Sequence, residues 1–463
     1  MTVDTIATID EERLDHALAL NAKLLCSGVF VVGREPEEFI ANDLQETDWF
    51  DWDAVDLTVD RQNPSVTLAA RGISRTAVFN GRQGCTIIPR GETGLHFTPV
   101  AFEPNLPDRE TTPWPMGDLE PDGPAPSVDR DALEAAFDRA LDDSVLPVPQ
   151  MTRSLVVVHA GRVVGERYAE GMGPQTRHVS WSSGKSITAA LVGILAGEGV
   201  FGVDDPAPVA EWREPGDPRG AITIADLLRM SSGLKFVRHL QGTSRYLSAS
   251  NDHNMVYHGA IDVFRHSIER PLEYPPNTVW RYHNCDTLTL GAIVRRTVEA
   301  RGHPGSEEYL TYPQRALFDK IGIRDHILEV DPWGNFVMTG FDYGTGRDWA
   351  RFGLLHLWDG VWKPSGERIL PEGWVDFVRT PAPADDTQGY GGQFWLNAGG
   401  RHPHIPEDAF WAAGAWGQLT MVIPSRDTVI VRLGHTRDSE SLDAYVDETF
   451  AAILAALEGT ENG

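Results

Sequence analysis

An α+β fold is predicted for this chain: an antiparallel sheet flanked by terminal helices, with a largely helical insert and an N-terminal extension. Three observations carry that reading. Two β-rich hairpins, SLVVVHAGRVVGERYAE and GQLTMVIPSRDTVIVRLG, sit toward opposite ends of residues 128–463. Helical apolar spacing precedes the first hairpin and follows the second. Between them, residues from about 200 to 385 read as helices and loops. Strands at both ends of a segment imply one sheet closed by the chain's return.

The elements follow in order. Residues 11–25 have helical spacing, and residues 56–100 contain the alternating runs DLTVD, SVTLAA, TAVFN and TIIPR, parted by Gly, Asn and Arg turns, as short antiparallel strands require. The acidic, Pro-rich stretch ETTPWPMGDLEPDGPAPSVDR reads as a linker or a wrapped arm. The chain then divides into an N-terminal accessory region (1–104), a linker (105–127) and a main domain (128–463). Asp129–Leu141 carries Leu133, Ala136, Phe137 and Leu141 on one helical face. The first hairpin turns at Ala160–Gly161 and the second at Pro424–Asp427. A long helix starts near Ser182 and runs to about Gly199, and Tyr445–Leu457 closes the chain as an amphipathic helix.

Composition narrows the function. With 463 residues, 41% hydrophobic and 23% charged, the chain can bury a large core without staples. A net charge of -27 excludes nucleic acid as an expected partner, because phosphate binding needs a basic surface. Three cysteines, Cys26, Cys85 and Cys285, are too few for a disulfide framework; a Cys26–Cys85 bridge stays open, and buried free thiols are the preferred reading. The N-terminus is acidic where a signal peptide is basic, and the apolar run Leu24–Val32 is short and interrupted. Neither a signal peptide nor a membrane span is expected, which makes a cytoplasmic location the default. Lysine occurs only at 23, 185, 235, 320 and 363. Since a desolvated lysine can lose its proton and an arginine effectively cannot, each lysine is a candidate for that role.

One segment, HVSWSSGKSITAALVGILAGEGV, carries the chemistry. Ser182 and Lys185 form an S-x-x-K pair in a first helical turn, on one face and within contact reach. The helix N-terminus directs backbone N–H groups and positive dipole at Ser182. A serine, a nearby base and such donors are what an activated nucleophile needs. The plain alternative is an N-cap serine beside a solvated lysine. A second copy, Ser232–Lys235, follows the helical run Ile224–Met230 and precedes Gly233, read as a helix C-cap. A helix C-terminus presents carbonyls, so Ser232 is taken as structural.

Two further constellations follow. Tyr282 and Asn284 form a Y-x-N triplet ahead of a helix: Tyr282 to shuttle a proton, Asn284 to hydrogen-bond Lys185 and substrate, against the alternative of a core aromatic and a helix cap. His283 between them is expected to point the other way. In FWAAGAWGQLTMVIP, Gly414 lets a strand approach closely, and the Ala415 N–H completes an oxyanion hole with the Ser182 N–H; the alternative is a glycine-punctuated edge strand. Trp181, Trp411, Trp416 and Tyr390 are candidates to line an apolar acyl pocket, with plain packing as the alternative. His402 with His404, and His253 with His258, lack a third ligand at a recognisable spacing, so no metal or cofactor is expected.

In this order, S-x-x-K, Y-x-N and a glycine-bearing strand resemble the superfamily of class C β-lactamases, penicillin-binding proteins and esterases. ITIADLLRMSSGL, YGTGRDWARFGLLHLWDGVW, RILPEGWV and WGQLTMVIPSRDTVIVRLG are similar to its aminohexanoate-dimer (nylon-oligomer) hydrolase branch, over about 128–458. The resemblance implies a β-lactamase-like fold and hydrolysis of a small-molecule amide or ester through an acyl-enzyme. It also pulls toward export, since many relatives are exported. One departure stands out. The K-T-G or H-x-G motif of β-lactamases aligns with Ala412, Ala413 and Gly414, without a cation. That weighs against the two rival activities, β-lactamase and D,D-peptidase. A non-catalytic binding protein of the same fold is the remaining rival, and the intact Ser182, Lys185 and Tyr282 weigh against it. Residues 1–104 have two readings, a cover for the site or a homodimer surface.

Overall fold

The computed structural model describes residues 6–44, 50–144, 146, 148–239, 247–302 and 306–458. In chain order the elements used below begin with helix α1 (Glu11–Ser27) and strands β1 (Asp56–Asp60), β2 (Ser65–Ala70), β3 (Ile73–Phe79) and β4 (Cys85–Ile87). Next come α2 (Arg130–Leu141), β5 (Thr152–His159), β6 (Arg162–Tyr168), α3 (Gly184–Gly197), α4 (Ile224–Leu228), α5 (Asn284–Arg301) and α6 (Gly346–Leu357). The last are β7 (Trp395–Leu396), β8 (Phe410–Gly414), β9 (Gln418–Ile423), β10 (Thr428–Gly434) and α7 (Ser439–Leu457). Two compact units share them. The first holds Met1–Phe102, Pro206–Thr311 and Ile327–Tyr343; the second holds Glu103–Asp205, Tyr312–His326 and Gly344–Gly463.

In the first unit, β1 to β4 form an antiparallel sheet in sequence order, as the alternating runs predict. Along β2 the residues Val66, Leu68 and Ala70 are buried and their neighbours half-buried, which seats α1 on one face of the sheet. Helix α1 is capped by the Asp10 carboxylate, which accepts from the Arg13 N–H at 2.8 Å. It continues through a π-helical turn to Val32. Glu11–Val32 is long and apolar enough to cross a membrane, and 78% of its apolar window is buried inside the protein.

That packing overturns one expectation. Cys26 and Cys85 are not free thiols but a disulfide, with Cα atoms 6.1 Å apart. They lie 59 residues apart in the chain, and laying α1 across the sheet is what brings Cys26 to β4. Cys285 is free and buried. Next to the bridge, Lys23 forms an ion pair with Glu329, both buried. Ser27 Oγ and the Cys85 N–H donate to Glu329 Oε1 at 2.8 and 2.7 Å, and Lys23 Nζ lies 3.9 Å from the centroid of the Phe341 ring. Burial holds the Lys23 amine well below its ordinary range.

The second unit is built on a six-stranded antiparallel sheet in the order β7-β8-β9-β10-β5-β6. Both hairpins turn where expected. Ala160 and Gly161 take positive φ (49° and 77°), the signature of a tight two-residue turn, and Asp427 is left-handed at φ 43°. One face of the sheet presents Leu155, Val157, Trp411, Met421 and Ile430 to α2 and α7, whose Phe137, Val446, Phe450 and Ile453 complete the core. On the other face lies α6. Its Gly346 and Gly353 leave no room for a Cβ against Ser154, Val156, Thr420 and Val429. The arm ahead of α2 is anchored by Arg351, which donates to the carbonyls of Pro115 and Gly117 at 2.7 and 2.8 Å.

Candidate active site

A single 3₁₀ turn, Trp181–Ser183, leads into α3 and places Ser182 at the helix start. The turn is held on both sides. Trp349 of α6 donates its indole N–H to Ser180 Oγ at 2.9 Å, and Ser186 Oγ donates to the Gln393 carbonyl at 2.7 Å. Within this frame Lys185 Nζ is 3.0 Å from Ser182 Oγ. Lys185 is only 1% exposed, while Ser182 is half-buried. A serine reachable by a ligand, in contact with a lysine that is not, is the arrangement expected of an activated nucleophile. Of the other lysines, Lys235 and Lys363 are exposed and Lys320 is half-buried.

Trp181 has φ 48°, a left-handed backbone that costs a bulky residue of order 1–3 kcal/mol and persists only where surroundings enforce it. Strand β8 is one such surrounding. A Cβ on Gly414 would lie 2.0 Å from the Ser180 carbonyl oxygen, so only glycine admits this approach. Beyond β8, Ala415 is exposed and the chain turns through Trp416 (φ 62°) and Gly417 (φ 82°). The two left-handed tryptophans meet edge to face, centroids 4.7 Å apart at 88°, and the Trp416 ring also packs on His435 at 4.6 Å. Trp181 and Trp416 thus flank the turns that bear the Ser182 and Ala415 N–H groups.

Other expected pocket residues are placed differently. Trp411 is 1% exposed and belongs to the core under α2 and α7, because strand alternation turns it away from the face of Ala412 and Gly414. Tyr390 is buried and packs edge-on against Trp395 at 5.1 Å. Ala412 is fully buried. The His404 ring bonds Asp447 at 2.5 Å, and the His402 ring packs on Trp411 at 5.3 Å.

Tyr282 and Asn284 belong to the first unit. Tyr282 is half-buried, two residues ahead of α5, and the His283 between them is extended. Asn284 is buried and its Nδ2 donates to the His253 carbonyl at 2.6 Å. His283 points into packing, as expected: its ring stacks on Phe236 at 4.2 Å and 6°, and its Nε2 is 3.0 Å from Asp286 Oδ2. Asp286 Oδ1 in turn accepts from Ser232 Oγ at 2.5 Å. Ser232 therefore ties the end of the α4 segment to α5, the structural role expected of it. Gly233 does not cap α4; the left-handed residue after that helix is Met230 (φ 56°), and Gly233 instead lies where a Cβ would meet the Tyr274 carbonyl at 2.0 Å.

Three supporting residues escaped the motif reading: Trp349, Gln418 and Arg432. Arg432 left a signal, a charge inside the apolar run TVIVRLG. Trp349 left none, since its partner Ser180 is 169 residues away, and Gln418 none, since a glutamine at a strand start does not announce which carbonyls it will reach.

A model of the beta-lactamase family matches residues 150–453. A 6-aminohexanoate-dimer hydrolase from Paenarthrobacter ureafaciens is 25% identical over 342 residues, covering 70% of this chain and 82% of that protein. Among solved structures, a Bacillus anthracis protein described as a candidate 6-aminohexanoate-dimer hydrolase matches with a TM-score of 0.55 at 24% identity, over 70% of this chain and 82% of its own. A penicillin-binding protein homologue from Caulobacter crescentus matches with a TM-score of 0.52 at 15% identity, over 72% of this chain and 100% of its own.

Proposed function

The chain belongs to the beta-lactamase family and is a serine-type hydrolase, and on that premise we propose that it cleaves a small neutral amide or ester through an acyl-enzyme on Ser182. The observation that carries the proposal is the 3.0 Å contact between Ser182 Oγ and the buried Lys185 Nζ. Ser182 Oγ attacks the substrate carbonyl carbon while Lys185 takes the hydroxyl proton. The Ser182 and Ala415 N–H groups receive the developing oxyanion. The proton taken up by Lys185 passes to the leaving group through Tyr282, which is assigned that role on the order of motifs along the chain, so that both groups are back in their starting state when the leaving group departs. Water then attacks the acyl-enzyme by the same route, releasing the acid and restoring Ser182.

The preference for neutral substrates rests on Ala412 and Ala413, which stand where β-lactam-hydrolysing relatives carry a cationic or hydrogen-bonding residue. A charge-assisted hydrogen bond is worth roughly 1.5–3 kcal/mol, or about one to two powers of ten in binding. The name of the Paenarthrobacter relative favours a short linear amide as the bond cleaved, and does not bear on the charge of the substrate.

The test compares kcat/KM for p-nitrophenyl esters, linear amide oligomers and nitrocefin. Neutral substrates should be preferred, Ser182→Ala should abolish turnover, and Ser232→Ala should leave the site chemistry intact. A fluorophosphonate adduct that persists on Ser182→Ala would remove the assignment of the nucleophile. Preference for nitrocefin would place the anion contact elsewhere and favour the β-lactamase reading.

A further inference from the structure

The oxyanion donor assigned just beyond β8 is the Ala415 backbone N–H, so no substitution short of proline removes it, and what holds it in place becomes the question. Ala415, Trp416 and Gly417 form a tight turn with two consecutive left-handed residues. Such a turn is not self-supporting, because a tryptophan in that conformation is strained. Its carbonyls point to their restraints. Gln418, fully buried at the start of β9, donates its Nε2 to the Ala415 carbonyl at 3.1 Å and to the Gly434 carbonyl at 2.6 Å, while its Oε1 accepts from the Gly434 N–H at 3.1 Å. Arg432, also fully buried, donates its Nη1 to the carbonyls of Trp416 at 3.0 Å and Gly417 at 2.7 Å. Its Nη2 donates to the Gln150 carbonyl at 2.5 Å and to Thr436 Oγ1 at 2.6 Å. The Thr436 N–H adds a bond to the Trp416 carbonyl at 3.0 Å.

Every carbonyl of the turn is therefore gripped by a side chain from β9 or β10. Two side chains divide the work. Arg432 ties the far end of the turn, where Gly417 has no Cβ because one would fall 2.0 Å from Nη1. Among the described residues Gln418 alone reaches the carbonyl of Ala415, the residue whose N–H is the donor. Because Gly414 is registered opposite Gln418 in the ladder, the Ala415 residue is held from both sides, by strand pairing before it and by the Gln418 amide after it.

We propose that Gln418 is a positioning residue for catalysis: its amide, braced on Gly434 and seconded by Arg432, fixes the Ala415 N–H so that it is aimed at the transition-state oxyanion before substrate arrives. The assignment rests on the reading of Ser182 as nucleophile and Ala415 as oxyanion donor. An oxyanion donor acts on the transition state more than on the bound substrate, so loosening it lowers kcat and leaves KM nearly unchanged.

The experiment uses the full chain with Gln418→Met, which keeps length and volume and removes the amide. Gln418→Glu is the second variant, retaining an acceptor for the Gly434 N–H while losing the donor to Ala415. Expected for Gln418→Met is a kcat lower by roughly ten- to a hundredfold with KM within about twofold, less than the roughly 10²–10³ lost when a donor is removed outright, because here the donor is loosened and not lost. Phenylboronic acid, which forms a tetrahedral adduct on a serine, should lose affinity by the same factor as kcat/KM. A packing role would lower the melting temperature while leaving kcat and boronate affinity at wild-type values, and that result overturns the proposal. So does a fall in kcat with boronate affinity unchanged. If Gln418→Met does not fold, the same criteria apply to Gln418→Glu. The underlying reading is separable: a Ser182→Ala protein that still turns substrate over removes the nucleophile, whereas an inert Ser182→Ala protein beside an unaltered Gln418→Met protein removes only the assignment to Gln418.

Discussion

A lysine three residues from a serine does little chemistry while water competes for its proton. Lys185 is 1% exposed and touches Ser182 at 3.0 Å, so its proton has a defined partner. A general base must give up its proton, which arginine effectively never does. Lys185→Arg is therefore expected to be nearly as damaging as Lys185→Ala, lowering kcat/KM by roughly 10²–10⁴ in steady-state assays. Activity within a fewfold of wild type would mean that only positive charge is needed. Elsewhere, the Asp331 carboxyl is pushed up to about 7 by burial, although the Asn335 side chain and the Val263 and Asn335 N–H groups pull it down. The native state thus holds this proton more tightly than the unfolded chain, whose carboxyl has the ordinary value of 3.8. Its stabilising contribution is full below about pH 4 and is lost as pH rises through 7. Thermal melts of Asp331→Asn between pH 4 and 7 should fall less steeply than those of wild type; an identical slope would assign the dependence to other groups.

Among the elements, β8 has the narrowest tolerance. It abuts the turn that carries Ser182, and Gly414 is the point of contact. Gly414→Ala sets a methyl against the Ser180 carbonyl, which is backbone and cannot swing aside. Overpacking of this kind costs about 1–3 kcal/mol. Displacing the turn should also lower kcat by one to two powers of ten, since small misplacements at a reacting centre have that effect. The control is Gly173→Ala, where nothing lies within 4 Å of the added carbon, and a melting temperature near wild type is expected. Equal behaviour of the two variants would show that β8 can retreat from Ser180 at no cost. The same element accounts for Trp411 and Ala412, adjacent residues with opposite fates because strand side chains alternate.

For the molecule as a whole, the Cys26–Cys85 bridge closes a chain segment of 59 residues. Removing the loop-closure entropy of such a segment from the unfolded state stabilises the native state by about 4 kcal/mol. Reduction, or the double variant Cys26→Ser with Cys85→Ser, should lower the urea midpoint accordingly, and Cys285, buried and unbridged, serves as the untouched thiol in the mass count. An unchanged midpoint under reducing conditions would show that α1 and β4 are held by packing alone.

Residue order alone carried the local features. Apolar periods gave the helices and strands their places, Ala160–Gly161 and Pro424–Asp427 marked both hairpin turns, and Ser182 with Lys185 stood out because three residues make one helical contact. Those signals are short-range, so neighbours in the chain are enough to read them. The Cys26–Cys85 pairing, the Lys23–Glu329 ion pair, the left-handed Trp181 and the choice of the Trp416 and Gly417 carbonyls as partners of Arg432 have no such local signature. Each depends on which apolar faces close over one another, α1 over its sheet and β8 against the Ser182 turn. A buried polar group takes whatever partner that closure brings within about 3 Å, and chain order does not state which one it will be.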